Sequence, residues 1–260
     1  MLSEKGARTT ALLDLDVHFG TGALSLDLEP GRGLTDAIEN PSRIDGLFIE
    51  RAMVKSSERL SVLSAEAPIN SPVMTDGAAF YQLQEEMRAA FECTVVDLPR
   101  AMLVQHPHLM TDIQVAVIVT ELTLAAARDT IRLLSWMKSN APQTQVVVVA
   151  NRVQPAPVLE ISRKDFEGSI ERRIDFLVNF DQKLAAQSAK LGKPFAEAGK
   201  GNKTIAPIVD LATKLMAVGD SAESIDSNTP GAKKKTAGKG TSLMGKFAFK
   251  SMISRPAKKK

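Results

Sequence analysis

Three places in the sequence set chemically useful side chains at the ends of apolar runs. Ala11-Leu-Leu13 leads into Asp14-Leu-Asp16, and Gly20 and Gly22 follow at once. Val95-Val96 leads into Asp97-Leu-Pro99, and Val149-Ala150 into Asn151-Arg152. Carboxylates at strand ends can hold a divalent cation through water or orient an attacking water. An amide beside a guanidinium suits a base edge and a phosphate or carboxylate. Each has a structural reading as well, because an acid that ends a strand also caps the turn behind it. Two apart on one strand, Asp14 and Asp16 are expected to share a face.

Something must bring these ends together. Thr10 to Asp16, Arg59 to Ser64, Cys93 to Asp97, Ile113 to Thr120, Gln145 to Ala150 and Arg173 to Val178 read as strands. Helical spacing of apolar residues marks Phe80 to Phe91, Leu122 to Met137, Arg163 to Glu171, Gln182 to Lys190 and Thr204 to Val218. Met102 to Met110 is expected as a helix interrupted by Pro107. Leu24 to Leu28 is a short element, Leu34 to Ile38 a short helix, and Ile44 to Arg51 a short helix or an edge strand. Strands alternating with helices, with β-branched strand cores, predict an α/β fold built on a mostly parallel sheet flanked by helices. Ligands of such sheets bind at the carboxyl ends of the strands, where all three acidic or polar ends lie.

Composition narrows the chemistry. With 44% hydrophobic and 24% charged residues the chain is an ordinary globular one, and 5% aromatics give little support to base-stacking nucleic-acid modules. Cys93, the single cysteine, allows no intrachain disulfide. Met1 to Thr10 is polar, and no apolar run approaches the ~20 residues of a bilayer span, so a cytoplasmic location is expected. His18, His106 and His108 have no partners at metal spacing, and His106-Pro-His108 reads as a surface turn. There is no Gly-x-Ser-x-Gly elbow, and Cys93 lies within a strand, which disfavours nucleophilic catalysis.

The net charge of +3 conceals an asymmetry. Residues 231–260 carry ten basic groups and no acidic one, which leaves 23 basic against 30 acidic groups in residues 1–230. Residues 1–218 are therefore expected as the folded domain and 219–260 as a disordered basic tail. Within the tail, Leu243 to Ile253 mixes apolar residues with Lys246 and Lys250 as a possible amphipathic patch. A solvating role, contact of 243–260 with an inner-membrane surface, and non-specific DNA binding are the three readings of this tail, DNA being the weakest.

Taken together and in order, these strings resemble the ParA/MinD-type P-loop ATPases, and within them the ATPase domain of the TadZ/CpaE pilus-assembly proteins. The resemblance covers about residues 1–217. It rests on Leu13-Asp-Leu-Asp-Val-His-Phe-Gly-Thr-Gly-Ala, Leu26-Asp-Leu-Glu-Pro, Val95-Val-Asp-Leu-Pro and Val149-Ala-Asn-Arg-Val. Ile174-Asp-Phe, Phe180-Asp-Gln-Lys-Leu and Ala189-Lys-Leu-Gly-Lys-Pro-Phe add to it. The resemblance implies ATP and Mg²⁺ as cofactors. It implies Asp16 as the acid that positions water, Asp14 as its neighbour near the metal, and Asp97 as a metal acid with Pro99 opening a switch. Asn151 and Arg152 match an adenine-contacting pair, and Phe180 and Asp181 the residues that close over the base. Homodimers and partners among the proteins of a type IVb pilus or type II/IV secretion machine are implied, at the cell pole or peripheral to the inner membrane. The alternatives are a non-catalytic scaffold of that machine or a ParA-like partitioning protein.

One part of the pattern is missing. The family opens with a strand, a Lys-Gly-Gly-x-Gly-Lys-Ser/Thr loop and a helix, and residues 1–260 contain no such loop. Gly199-Lys-Gly-Asn-Lys-Thr204 follows no apolar strand, and Gly238-Lys-Gly240 has no Ser or Thr after its lysine. The sequence thus reads as starting about one βα unit late, through a misplaced start codon or a truncation. On its own the chain is not expected to hydrolyse ATP, since a phosphate needs a run of backbone N–H groups and the loop lysine.

Overall fold

The computed structural model describes residues 1–70 and 77–226, the last eight by their backbone alone. Its strands are β1 (Thr10–Asp14), β2 (Val54–Lys55), β3 (Leu60–Leu63), β4 (Cys93–Asp97), β5 (Val115–Thr120), β6 (Gln145–Val153) and β7 (Phe176–Asn179). Its helices are α1 (Gly33–Glu39), α2 (Gly46–Ala52), α3 (Ala78–Ala90), α4 (Arg100–Gln105), α5 (Leu124–Asn140), α6 (Arg163–Ser169), α7 (Gln182–Leu191), α8 (Phe195–Ala198) and α9 (Ala206–Asp226). The α/β architecture follows the alternation in the sequence, but the strands form two sheets. One has the order β2-β3-β1-β4, the other β5-β6-β7. All pairs are parallel except β2 with β3.

Burial explains the strand compositions. Val147 to Ala150 of β6 are all buried, because α6 covers one face through Phe166 and Ile170 while Ile208 and Leu211 of α9 cover the other. A strand covered on both sides reads as an unbroken apolar run, not an alternating one. In the first sheet, Leu13 and Leu63 pack beneath Leu34, Ile38, Ile49, Phe80, Leu83 and Met87 of α1, α2 and α3. Caps set the helix starts. The Asp45 side chain accepts the Phe48 N–H at 2.7 Å, which makes Gly46–Ala52 a helix and not an edge strand. Thr123, Ser162 and Asp181 cap α5, α6 and α7 in the same way.

Several expectations need correction. β1 stops at Asp14, so Asp16 lies in the following turn and shares no strand face with it. The reason is local: the Asp16 N–H turns to an Asp14 carboxylate oxygen at 3.0 Å instead of continuing a ladder. Leu24–Leu26 is a single 3₁₀ turn. The helix expected over Met102 to Met110 splits into α4 and a 3₁₀ turn, Pro107–Met110, with the break at His106 before the proline. His106 is half-buried against Phe80, at 5.1 Å between ring centroids, and not a surface turn residue. Burial lowers the His106 pKa, and His108 adds to that. Helix α9 runs through Gly219 to Asp226, past the expected boundary at 218. The expectations for residues 227–260, the patch at 243–253 included, lie outside the described residues.

A close approach joins the two halves. Gly192 ends α7 with φ of 56°, in the left-handed region that favours glycine. A Cβ added there would sit 2.6 Å from the Cβ of Asp27. The Leu26-Asp-Leu-Glu-Pro stretch of the first half therefore packs on the turn that leaves α7.

Candidate functional site

The parallel pairing of β1 with β4 puts Asp14 in register with Asp97, and the Leu15 N–H extends the ladder to the Asp97 carbonyl at 3.0 Å. Asp14 is wholly buried. One of its carboxylate oxygens accepts the Asp16 N–H, and the other accepts the Gly22 N–H at 2.8 Å. The loop beyond β1 is thereby wrapped around this carboxylate. Added Cβ atoms at Gly20 and Gly22 would lie 2.5 and 2.9 Å from Asp14 Oδ2, so the two glycines are a requirement of close packing. Asp16 is half-buried and accepts the Phe19 N–H at 3.1 Å. Sequence reasoning left the glycines without a role, although their position directly behind the acids was the available signal.

Asp97 lies exposed at the end of β4, with Pro99 as the N-cap residue of α4. Partial burial raises the pKa of its carboxyl above the ordinary value of 3.8, and the neighbouring charges of Asp14 and Asp16 raise it further. Among the described residues, no Lys or Arg forms an ion pair with any of these three acids. Among the described residues no group of three or more His, Cys, Asp or Glu side chains is placed to hold a metal ion, and both oxygens of Asp14 are taken by backbone N–H groups. The raised value also fixes a sign. A carboxyl that holds its proton more tightly when folded loses stability as the pH rises through that range. Asp97→Asn is therefore expected to melt at a higher temperature than the parent chain at pH 7. The difference should close as the pH falls below 3.8, which thermal denaturation at the two pH values checks.

The other predicted residues gather at the carboxyl edge of the second sheet. Asn151 and Arg152 fall where the β6–β7 register shifts, and Arg152 adopts φ of 51°. The Asn151 side chain accepts the Arg152 N–H at 2.9 Å, and the exposed guanidinium reaches Glu121 at 3.5 Å. Phe180 is exposed and donates its N–H to the Val153 carbonyl. Asp181 caps α7 through the Leu184 N–H at 2.9 Å, and its second oxygen accepts from Asn202 at 3.2 Å. The structure thus makes two groups, Asp14–Asp16–Asp97 with Pro99 and Asn151–Arg152–Phe180–Asp181, each at strand carboxyl ends. Gly199-Lys-Gly-Asn-Lys-Thr204 is no phosphate loop here. It packs on α7, where an added Cβ at Gly199 would meet Leu184 and Ile205.

No protein-family model matches the sequence, and no curated protein matches it either. Solved structures do. A ParA family ATPase from Chlorobium tepidum is similar at a TM-score of 0.72 and 19% identity, over 82% of this chain and 87% of that one. The MinC:MinD cell division complex of Aquifex aeolicus follows at 0.63 and 19%, over 82% and 85%. The septum site-determining protein MinD of Pyrococcus horikoshii, complexed with Mg-ADP, is similar at 0.55 and 13%, over 84% and 85%. Two mostly parallel sheets flanked by helices and these likenesses agree on one conclusion: the chain has the fold of the ParA and MinD ATPases.

Proposed function

We propose that this chain is a TadZ/CpaE-like protein that positions a type IVb pilus assembly machine at the cell pole or inner membrane. It acts there as a partner-binding scaffold that does not hold ATP by itself. The observation that carries the reading is the acid cluster of Asp14, Asp16 and Asp97, set in the quoted Asp-Leu-Asp-x-x-Phe-Gly context on a ParA/MinD fold. In ATPases of this fold a bound Mg²⁺-nucleotide supplies the charge to be neutralised and the bond to be cleaved. Asp97 would hold the metal through water, Asp16 would orient the attacking water, and Asp14 would keep the loop closed around them. Asn151, Arg152 and Phe180 would receive the base. Residues 1–260 contain no loop of the Lys-Gly-Gly-x-Gly-Lys-Ser/Thr type to cradle the phosphates, so the reading assigns no ATP hydrolysis to these residues by themselves.

Two measurements test this. Calorimetric titration of the full chain with Mg²⁺-ATP is expected to show no saturation at millimolar nucleotide, and a micromolar dissociation constant would overturn the scaffold reading. Deleting the gene is expected to leave cells without correctly placed Flp-type pili. Unaltered piliation would remove the pilus assignment.

A further inference from the structure

At the amino end of β6, away from the strand ends described above, the C-terminal half of α5 and the end of α6 line a groove of about 620 Å³. Leu134, Met137, Val146 and Ile170 make its apolar lining, and Ile131, 43% exposed, continues that lining to the surface. Lys138 and Arg172 bring two cations to the groove against one carboxylate, Glu171. That balance reverses the one in residues 1–230, where 23 basic groups face 30 acidic ones. Among the described residues Lys138 forms no ion pair. Arg172 donates to the Val146 carbonyl and stands 3.8 Å from Asp175, itself bound by Lys214 at 2.7 Å. Further guanidinium N–H groups of Arg172 are left for a ligand. The turn that carries these charges is strained. The Arg172 N–H closes α6 on the Glu167 carbonyl at 3.2 Å, and Glu171 has φ of 53°, a position where helix ends place glycine. A side chain is thus kept at the rim of the groove in a conformation that costs free energy.

We propose that this groove binds a single-chain amphipathic carboxylate, with its alkyl chain along Ile131, Leu134 and Ile170 and its head group between Lys138 and Arg172. Both cations stand towards the start of β6, since Lys138 lies one turn beyond Leu134 and Arg172 reaches the Val146 carbonyl. Ile131 lies seven residues of helix before Lys138, about 10 Å away, a length that a medium alkyl chain spans. An apolar lining with a few charged groups suits such a ligand, because burial of the chain supplies affinity while the cations fix its direction. Glu171 opposes the head group and tempers the affinity. The groove shares no residue with either group of strand-end side chains, so it stands or falls independently of the pilus reading.

Trp136, the only tryptophan, packs with Met137, Ala141 and Val146 of the groove lining and reports on it in the full-length chain. Titration with ω-bromodecanoate, whose bromine quenches indole emission on contact, is expected to quench Trp136 to saturation with a dissociation constant near or below about 1 mM. Lys138→Glu is expected to weaken binding about tenfold, by removing an attraction and adding a repulsion. Ile131→Asp, at an exposed position, is expected to weaken it about as much through the chain end. Glu171→Gly is expected to tighten it about threefold and to raise the melting temperature, because it removes a repulsion and relieves the turn. The basic residues of 231–260 are present in every variant and do not produce these differences. Quenching that fails to saturate, or that saturates equally in the Lys138→Glu and Ile131→Asp variants, would overturn the proposal. So would ω-bromodecanol binding as tightly as the carboxylate, since the cations would then have no part in recognition. Phosphatidylglycerol vesicles with brominated chains that quench Trp136 where the free acid does not would overturn it in favour of a bilayer surface.

Discussion

Replacing Asp14 by alanine is expected to destabilise the chain by about 3 kcal/mol, because the carboxylate is the wholly buried acceptor of two backbone N–H groups. The Gly22 and Asp16 amides would lose their acceptor, and a small void would open against Gly20, whose backbone has closed over it. Asp14→Asn keeps one acceptor oxygen but turns an amide N–H₂ towards the remaining donor, so about half that loss is expected. Urea unfolding monitored by circular dichroism reads both, as a lower midpoint at an unchanged slope. A loss under about 1 kcal/mol for the alanine variant would mean that the loop finds other acceptors. The effect lies on the link between packing and function, because the same carboxylate sets where Asp16 stands.

The second large effect concerns a residue remote from the acids. Phe166 of α6 is wholly buried against Val148, Ala150 and Ile174. Phe166→Ala removes the largest apolar group of that cluster and leaves a cavity that β6 cannot collapse into, since α9 holds its other face. A loss of about 4 kcal/mol is expected, a large part of the ~5–15 kcal/mol that holds a typical domain together. The same unfolding experiment decides it. Phe166→Leu, which keeps most of the volume, should lose much less.

Much of the fold was legible because its signals are local. The apolar runs at Cys93–Asp97 and Gln145–Val153 and the period of Leu124–Asn140 reflect burial by neighbours a few residues wide. The strand ends at Asp14 and Asp97 were legible for the same reason, since each closes the apolar run before it. What was not legible depends on distant pairing. β2 is two residues long and exists only because Val54 aligns with Val62 of β3. Nothing in the run Val115 to Thr120 reveals that its strand starts a second sheet. The loop glycines acquire their role only from the carboxylate of Asp14, and Asp181 is occupied by Leu184 and Asn202 in a way no local pattern shows. Helix α9 outran its expected end because Gly219 weakens a helix by only about 1 kcal/mol and no proline follows before Asp226.

Helix α9 also bears on how the chain comes apart. Its first turns pack on β7 and β6, and Met216 further along touches Gly6 and Arg8 beside β1. Among the described residues the two sheets share no ladder, so by hydrogen bonding alone each could melt by itself. With one rod touching both, opening either sheet removes part of the packing that holds α9 and weakens its hold on the other. Heating should therefore produce a single unfolding transition, with α9 acting as the splint that makes two half-sheets melt as one.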